Sequence, residues 1–265
     1  MKKVVITGGA SGMGRAVAQK LAESGYFVYS CDIKKHAEEK ENMCQLEMDV
    51  CKQESVSAAF EKISAETDSL EAIINFAGII MMNSLVEISE EDFTKIFNVN
   101  FFGAYRVNKT FLPLVLKNKG KIIITTSELA PNKIIPFNSI YSISKKALDA
   151  YAEGLRMELG ILGIPVITLR PGAVSTEMIG SSNNAVDKMV NGTVLYKNNT
   201  AKFKKIVDSE QGTAIPASKI ANLVLKMLNR KRVKYVYTKN ASLKLKLLNI
   251  VPTGMQVKIY KTLLK

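Results

Sequence analysis

The feature that most limits what this chain can fold into lies at its start. An apolar run, Val4-Val5-Ile6-Thr7, leads into Gly8-Gly9-Ala10-Ser11-Gly12-Met13-Gly14, and residues 14–24 carry a helical pattern with Ala16, Val17, Leu21 and Ala22 on one side. A strand, a glycine-rich turn and a helix in that order make a phosphate-binding unit. One glycine permits the tight turn, one lets backbone approach a pyrophosphate, and one lets the helix pack closely. The helix N-terminus then offers free N–H groups and the positive end of its dipole. So many glycines cost conformational entropy, which argues against a turn without a role.

The same alternation continues along the chain. Further β-rich runs occupy residues 27–31 (closed by Asp32), 72–75, 121–125, 166–169 (halted by Pro171-Gly172) and 235–238, with helical periodicity between them, as over 93–115 and 147–162. Buried strands separated by helices pair in parallel through right-handed crossovers. The expected fold class is therefore α/β, a doubly wound parallel sheet. No repeat, low-complexity tract or linker divides the chain, so one domain over residues 1–265 is expected.

Composition narrows the chemistry. No run approaches the roughly 18–20 apolar residues of a membrane-spanning helix. Met1-Lys2-Lys3 leads directly into the first strand rather than a secretory apolar region, so a cytoplasmic location is expected. Cys31, Cys44 and Cys51 fit neither a disulfide framework nor a zinc site. The single histidine, His36, sits in the charged stretch Lys34-Lys35-His36-Ala37-Glu38-Glu39 and reads as a surface-loop residue. A Ser-His-Asp hydrolase and a multi-histidine metal site are thereby excluded, and no metal is expected.

Asp32 lies 18 residues after Gly14 at the end of the second apolar run. A carboxylate there can accept hydrogen bonds from the adenosine ribose, whereas a 2′-phosphate would meet like charge. Ile33 rather than a basic residue follows it, and Ser11 rather than Lys or Arg precedes Gly12. These features lead us to expect NAD as the cofactor, with NADP the lesser fit; Lys34 and Lys35 are near enough to keep NADP open.

Together these residues resemble the short-chain dehydrogenase/reductase family, a group with the Rossmann fold, over nearly the whole chain. Thr7-Gly8-x-x-x-Gly12-x-Gly14 resembles its cofactor fingerprint, Asp49-Val50 its adenine-contacting pair, and Asn75-Phe76-Ala77-Gly78 its Asn-Asn-Ala-Gly motif with Phe76 replacing the second Asn. Asn100 falls where that family has a catalytic Asn, with Asn98 a rival. Ser127 falls on the segment that delivers the catalytic Ser, with Thr125, Thr126 and Ser139 as alternatives. Tyr141-Ser142-Ile143-Ser144-Lys145 resembles the Tyr-x-x-x-Lys signature, and Pro171-Gly172-Ala173-Val174-x-Thr176 the motif near the nicotinamide. The resemblance implies catalytic Asn100, Ser127, Tyr141 and Lys145. It implies a cofactor site drawn from Gly8, Ser11, Gly12, Met13, Gly14, Asp32, Ile33, Asp49, Val50, Asn75, Ala77, Gly78, Tyr141, Lys145, Pro171, Gly172, Val174 and Thr176. It also implies a homodimer or homotetramer.

Residues four apart on a helix share a face, so Lys145 would sit beside Tyr141. An ammonium there favours the phenolate, and the tuned tyrosine can take a proton from an alcohol or give one to a forming alkoxide. The substrate is expected to be an apolar alcohol or ketone, such as a hydroxysteroid. A lid over about 177–212 would carry Met178, Ile179, Met189, Val190, Val194, Leu195 and Tyr196, with Met81 and Met82 adding to the pocket wall. The alternatives are a 3-oxoacyl carrier-protein reductase and a non-catalytic nucleotide sensor.

The net charge of +13 is unevenly spread. Residues 186–265 hold 17 Lys and Arg against three acids, while the remainder is close to neutral. From Arg230 to Lys265 there are ten basic residues and no acid, interleaved with leucines. Such a tail, which is similar to those of steroid- and retinol-type family members, can lie on an anionic membrane surface, pack on the core or a sister subunit, or meet an acidic carrier protein. No nucleic-acid module accompanies it.

Overall fold

Continuous apolar strands require cover on both faces, and the computed structural model shows how this chain supplies it. Residues 1–34, 41–210 and 213–265 are described, with the side chains of 177–179, 181 and 209–210 left aside. Lys35 and His36, and the side chains of Met178 and Ile179, thus lie outside the described residues. In β1 (Lys2–Thr7), Val5 points to one face while Val4 and Ile6 point to the other. The same split recurs in β4 (Ala72–Asn75) and β5 (Lys121–Thr125): Ile73, Ile122 and Ile124 join the Val5 face, and Ile74 and Ile123 the Ile6 face. The first face is covered by α2 (Gln53–Glu66), α4 (Gly103–Asn118) and α5 (Ser139–Ile161), and the second by α1 (Gly12–Glu23) and α8 (Ala217–Asn229).

The parallel sheet also contains β2 (Tyr26–Asp32), β3 (Met43–Glu47), β6 (Val166–Pro171) and β9 (Val236–Lys239), in the order β3-β2-β1-β4-β5-β6-β9. The order reverses between β1 and β4, so the carboxyl ends of those two strands open a crevice, the place where ligands bind in such sheets. The edge strand β3 was not expected from the sequence; Met43, Cys44, Gln45 and Leu46 are only partly buried and carry no clear alternation.

Residues 93–115 do not form one helix. α3 (Glu90–Phe97) passes through a π-helical turn, Asn98–Phe102, into α4. Beyond β6, a short β7 (Val174–Ser175) pairs with β8 (Ile215–Pro216), and between them run α6 (Glu177–Gly192) and α7 (Lys197–Glu210). The chain continues past β9 into α9 (Leu243–Ile250) and α10 (Thr253–Leu264). No described helix is long and apolar enough to cross a membrane.

Candidate active site

The turn after β1 closes on glycines because side chains have no room there. Gly8 and Gly12 hold φ of +69° and +53°, a region that residues with a Cβ rarely enter. A Cβ on Gly8 would lie 2.7 Å from the Ala77 nitrogen, so the turn rests directly on the backbone after β4. A Cβ on Gly14 would lie 2.8 Å from the carbonyl carbon of Gly8 and closer still to its oxygen, so α1 packs against the turn itself. Ser11, the N-cap of α1, makes no side-chain cap bond, so its hydroxyl does not compete for the amides of the first turn. Thr176 Cβ is 3.2 Å from where a Gly12 Cβ would stand, which folds the Pro171–Thr176 segment over the turn.

The other predicted cofactor residues surround this turn. Asp32 Oδ2 accepts a hydrogen bond from Ala10 N–H at 3.0 Å and Oδ1 one from Lys34 N–H at 3.4 Å, while Ile33 is exposed. Asp49 Oδ1 accepts from Cys51 N–H at 2.9 Å, and Val50 is buried where Gly103 leaves space for it. Asn75 Nδ2 donates to Asn108 Oδ1 at 2.8 Å, and Ala77 N–H donates to Thr7 Oγ1 at 3.2 Å. A Cβ on Gly78 would stand 3.2 Å from Asn100 Oδ1 and 3.4 Å from Lys145 Nζ. The β4 loop therefore runs from the phosphate turn to the predicted catalytic residues. Gly172 N–H donates to Lys239 O at 2.8 Å, and Val174 pairs with Ile215 in the small second sheet.

Tyr141 and Lys145 lie on the first turns of α5, both buried, with Lys145 Nζ 5.9 Å from the centre of the tyrosine ring. Ser127 follows β5; its Oγ accepts from Leu129 N–H at 3.2 Å and lies near enough to the Tyr141 phenol to favour the phenolate. The alternative hydroxyls point elsewhere: Thr126 donates to Asp149 Oδ1 at 3.0 Å, Ser139 to Ile135 O at 3.3 Å, and Thr125 Oγ1 is buried without a partner. Burial pushes the Tyr141 phenol up to about 12, against the opposing pull of the Ser127 hydroxyl. Lysine proximity was expected to favour the phenolate, but in the chain by itself desolvation outweighs it. Burial likewise pushes Lys145 down to about 8.

Lys145 Nζ donates to Thr125 O at 3.2 Å, the one hydrogen-bond acceptor given for its three N–H groups among the described residues. A buried ammonium with donors to spare suits a pair of ribose hydroxyls. Together with the glycine-rich turn, this fits a nicotinamide dinucleotide. The shift of Lys145 has a consequence for stability. Below about pH 8 both folded and unfolded chains keep the proton, and the fold bears the whole cost of burying it, on the order of 3 kcal/mol. Between pH 8 and about 10.4 the unfolded chain binds more protons, so stability rises with pH. Lys145→Met is expected to unfold at higher urea than the parent at pH 7, with the gap narrowing by pH 10; a constant gap would contradict this.

Asn100 owes its position to the π-helical turn. Its Oδ1 accepts from Ile79 N–H at 2.8 Å, and its Nδ2 donates to Ile79 O and to Ser144 Oγ, both at 3.0 Å. Among the described residues, the rival Asn98 has no such anchor to the β4 loop.

One supporting residue escaped the sequence reading. Asp149, one helical turn beyond Lys145, accepts from Arg170 Nε at 2.9 Å and Nη2 at 2.5 Å, and from the Thr126 hydroxyl. It ties α5 to the residue before Ser127 and to the one before Pro171. Its spacing of four from Lys145 was the available signal. Asp149→Ala leaves Arg170 partly buried without its partner, at a cost of about 2–4 kcal/mol, visible as a lowered Tm.

An apolar cluster adjoins the site. Met82, from the loop after Gly78, and Phe137, from the loop before Tyr141, pack with Val186 and Met189 of α6, Phe203 of α7 and Leu264 of α10. Val190, Tyr196 and Tyr260 extend it, and Met81 packs with Tyr141 in a neighbouring cluster, whereas Val194 and Leu195 are exposed. The basic tail therefore divides: α10 packs onto α7 in part, while α9 buries no residue.

Comparison with known proteins agrees with this geometry. A family model described as short chain dehydrogenase matches residues 2–187. The 3-ketodihydrosphingosine reductase of Bacteroides thetaiotaomicron is 30% identical over 228 residues, covering 86% of this chain and 84% of the relative. Estradiol 17-beta-dehydrogenase 2 of Rattus norvegicus is 33% identical over 203 residues, covering 71% of this chain but only 52% of the rat protein. The alcohol dehydrogenase of the archaeon Thermococcus sibiricus, solved with 5-hydroxy-NADP, superposes with a TM-score of 0.72 at 24% identity over 91% of this chain and 97% of that one.

That last structure overturns the expected ranking of NAD above NADP, because a protein of the same fold holds an NADP-type dinucleotide. The Asp32 argument fails for a physical reason. The argument treated the carboxylate as free to repel a 2′-phosphate, but its two oxygens accept from the Ala10 and Lys34 amides. Asp32 thus braces the turn, and its charge is partly offset by those donors.

Proposed function

Since the chain belongs to the short-chain dehydrogenase/reductase family and is an NAD(P)-dependent oxidoreductase of alcohols and ketones, we propose that it interconverts a secondary alcohol and a ketone on a lipid with a long apolar body. The observation that supports the substrate class is the buried apolar cluster of Met82, Phe137, Met189 and Phe203, which joins both loops framing Tyr141 to α6 and α7. We read α6 and α7 as the substrate lid. Two of the relatives are named for a ketodihydrosphingosine and for estradiol, each a molecule with a largely hydrocarbon body.

The geometry and the family resemblance support the following roles. Ser127, beside Tyr141, holds the substrate oxygen next to the phenol. Tyr141 gives its proton to the oxygen as the ketone is reduced, or takes one as the alcohol is oxidised. Lys145, bonded to Thr125 O and 5.9 Å from the centre of the Tyr141 ring, would hold the ribose hydroxyls with its other N–H groups. Asn100 is fixed to Ile79 and next to Ser144, and the family resemblance implies that it links to a proton relay. The glycine turn, Asp32, Asp49, Val50, Asn75 to Gly78 and Pro171 to Thr176 would hold the dinucleotide, which would supply or accept the hydride when bound. Exposed Phe102 and Tyr105 of α4 and Met157 and Ile161 of α5 suit pairing of two copies through those helices.

A panel followed at 340 nm tests the substrate reading. It holds long-chain 3-oxo lipids, steroids, simple ketones and oxoacyl thioesters, each with NADH and with NADPH. Turnover highest on the lipids or steroids is expected. Preference for oxoacyl carrier-protein thioesters would overturn the lipid reading in favour of a carrier-protein reductase.

A further inference from the structure

We propose that the outer face of α9 docks on an anionic lipid bilayer and so holds the active-site loop at the membrane surface. The proposal deepens the lipid-substrate reading, but the contact itself stands on separate observations. Leu243, Leu247 and Ile250 are 69%, 54% and 77% exposed, and their spacings of four and three place them on one stripe of the helix. Lys244 and Lys246, both exposed, fall on either side of that stripe. An eight-residue helix is marginal by itself, and most helices this short are held by burying an apolar face. This one is held differently.

Its attachment is polar and reaches the catalytic loop. Ser242 N–H donates to Glu128 Oε2 at 2.6 Å, directly after Ser127. Asn249 Oδ1 accepts from Lys133 N–H at 2.8 Å, and its Nδ2 donates to Asn132 Oδ1 at 2.7 Å. Lys133 Nζ donates to Val251 O at 2.6 Å. Residues 128–133 belong to the loop between Ser127 and Tyr141. Hydrogen bonds thus fasten the inner side of α9, where Leu245 and Leu248 are half-buried, to the loop that frames the site, while Leu243, Leu247 and Ile250 face outward.

Charge selects the occupant. From Lys239 to Lys265 the chain carries six lysines and no acid, and Glu128, the acid that meets α9, is turned onto the Ser242 amide. A second copy seated on this face would bring lysine against lysine. An anionic bilayer offers opposite charge to the lysines and an apolar layer to the stripe between them. A lipid ketone leaving the bilayer would then meet the loop that holds Ser127.

The test is co-sedimentation of the full chain with phosphatidylcholine vesicles, with and without phosphatidylglycerol, at low and high salt. The parent is expected to pellet with the phosphatidylglycerol vesicles alone and to be released by salt. Leu247→Glu and, separately, Ile250→Glu should each weaken binding at least about tenfold. Both positions are solvent-exposed, and both variants should keep the parent turnover of a short soluble ketone. Parent protein that stays in the supernatant, binds both vesicle types equally, or pellets no better than Leu247→Glu would overturn the proposal. So would a larger species in light scattering that Leu247→Glu disperses, which would assign the face to a second copy. Turnover of detergent-dispersed lipid ketone is read separately: its absence with vesicle binding intact would sink the substrate reading alone.

Discussion

Tyr141→Phe is expected to lower kcat by about 10²–10⁴-fold while the protein stays folded and binds dinucleotide as before. The substitution removes a single oxygen from a buried ring that packs with Ile79, Ile80, Met81 and Ile140, so the packing survives. What is lost is the proton donor beside the Ser127 hydroxyl. The direction of reaction adds a second readout. A phenol pushed up to about 12 is protonated at neutral pH, so it is already in the form that donates to a forming alkoxide. Oxidation needs the phenolate, a form that grows with pH. Alcohol oxidation should therefore rise from neutral to alkaline pH, and reduction should not. Stopped-flow absorbance at 340 nm over a pH series, with equilibrium titration of dinucleotide fluorescence, separates the chemical loss from any binding loss. A variant that keeps more than about a tenth of the parent rate would move the proton to another group.

Gly14→Ala should act on a different step. Its Cβ would press into the Gly8 carbonyl, and α1 or the turn must retreat by about an ångström. The expected cost is about 1–3 kcal/mol of stability. Dinucleotide affinity should fall at least about tenfold, because the displaced turn no longer presents its amides to the pyrophosphate. Calorimetric titration with both NADH and NADPH measures the affinity. Unchanged Kd values for both would mean that the close approach of helix to turn has no part in cofactor binding. Gly25, where a Cβ would meet nothing but which holds φ of +83°, provides a control: Gly25→Ala strains a turn far from the crevice and should leave Kd alone.

The doubly wound sheet was legible because both of its faces are covered, which forces continuous apolar strands such as Ile122-Ile123-Ile124 and leaves helices between them. The glycine turn was legible because its residues answer to backbone geometry rather than to distant partners. Other features depend on partners that no local pattern shows. β3 lies at the sheet edge, so its half-exposed residues carry no alternation. The π-helical turn is a change in hydrogen bonding, and its phenylalanines and asparagines read as ordinary helix. Asp149 looks like any solvated helix acid until Arg170 and Thr126 are placed against it. The placement of Asp32 at a strand end was right, yet the cofactor preference drawn from it failed, because the sequence does not reveal that Ala10 N–H takes the carboxylate. The tail read as one amphipathic unit, but folding gives α10 to the cluster of Met82, Phe137 and Phe203 and leaves the α9 stripe exposed.

The most direct test of the central claim follows a labelled hydride. The purified chain is incubated with NADH or NADPH carrying deuterium at C4 and with a long-chain 3-oxo lipid, and the product alcohol is analysed by mass spectrometry. Deuterium on the carbinol carbon with the parent protein, and none with Tyr141→Phe on the same timescale, is the predicted result. Tight dinucleotide binding without labelled alcohol, across every ketone and both cofactors, would contradict the account and make the chain a nucleotide-binding protein built on a catalytic fold.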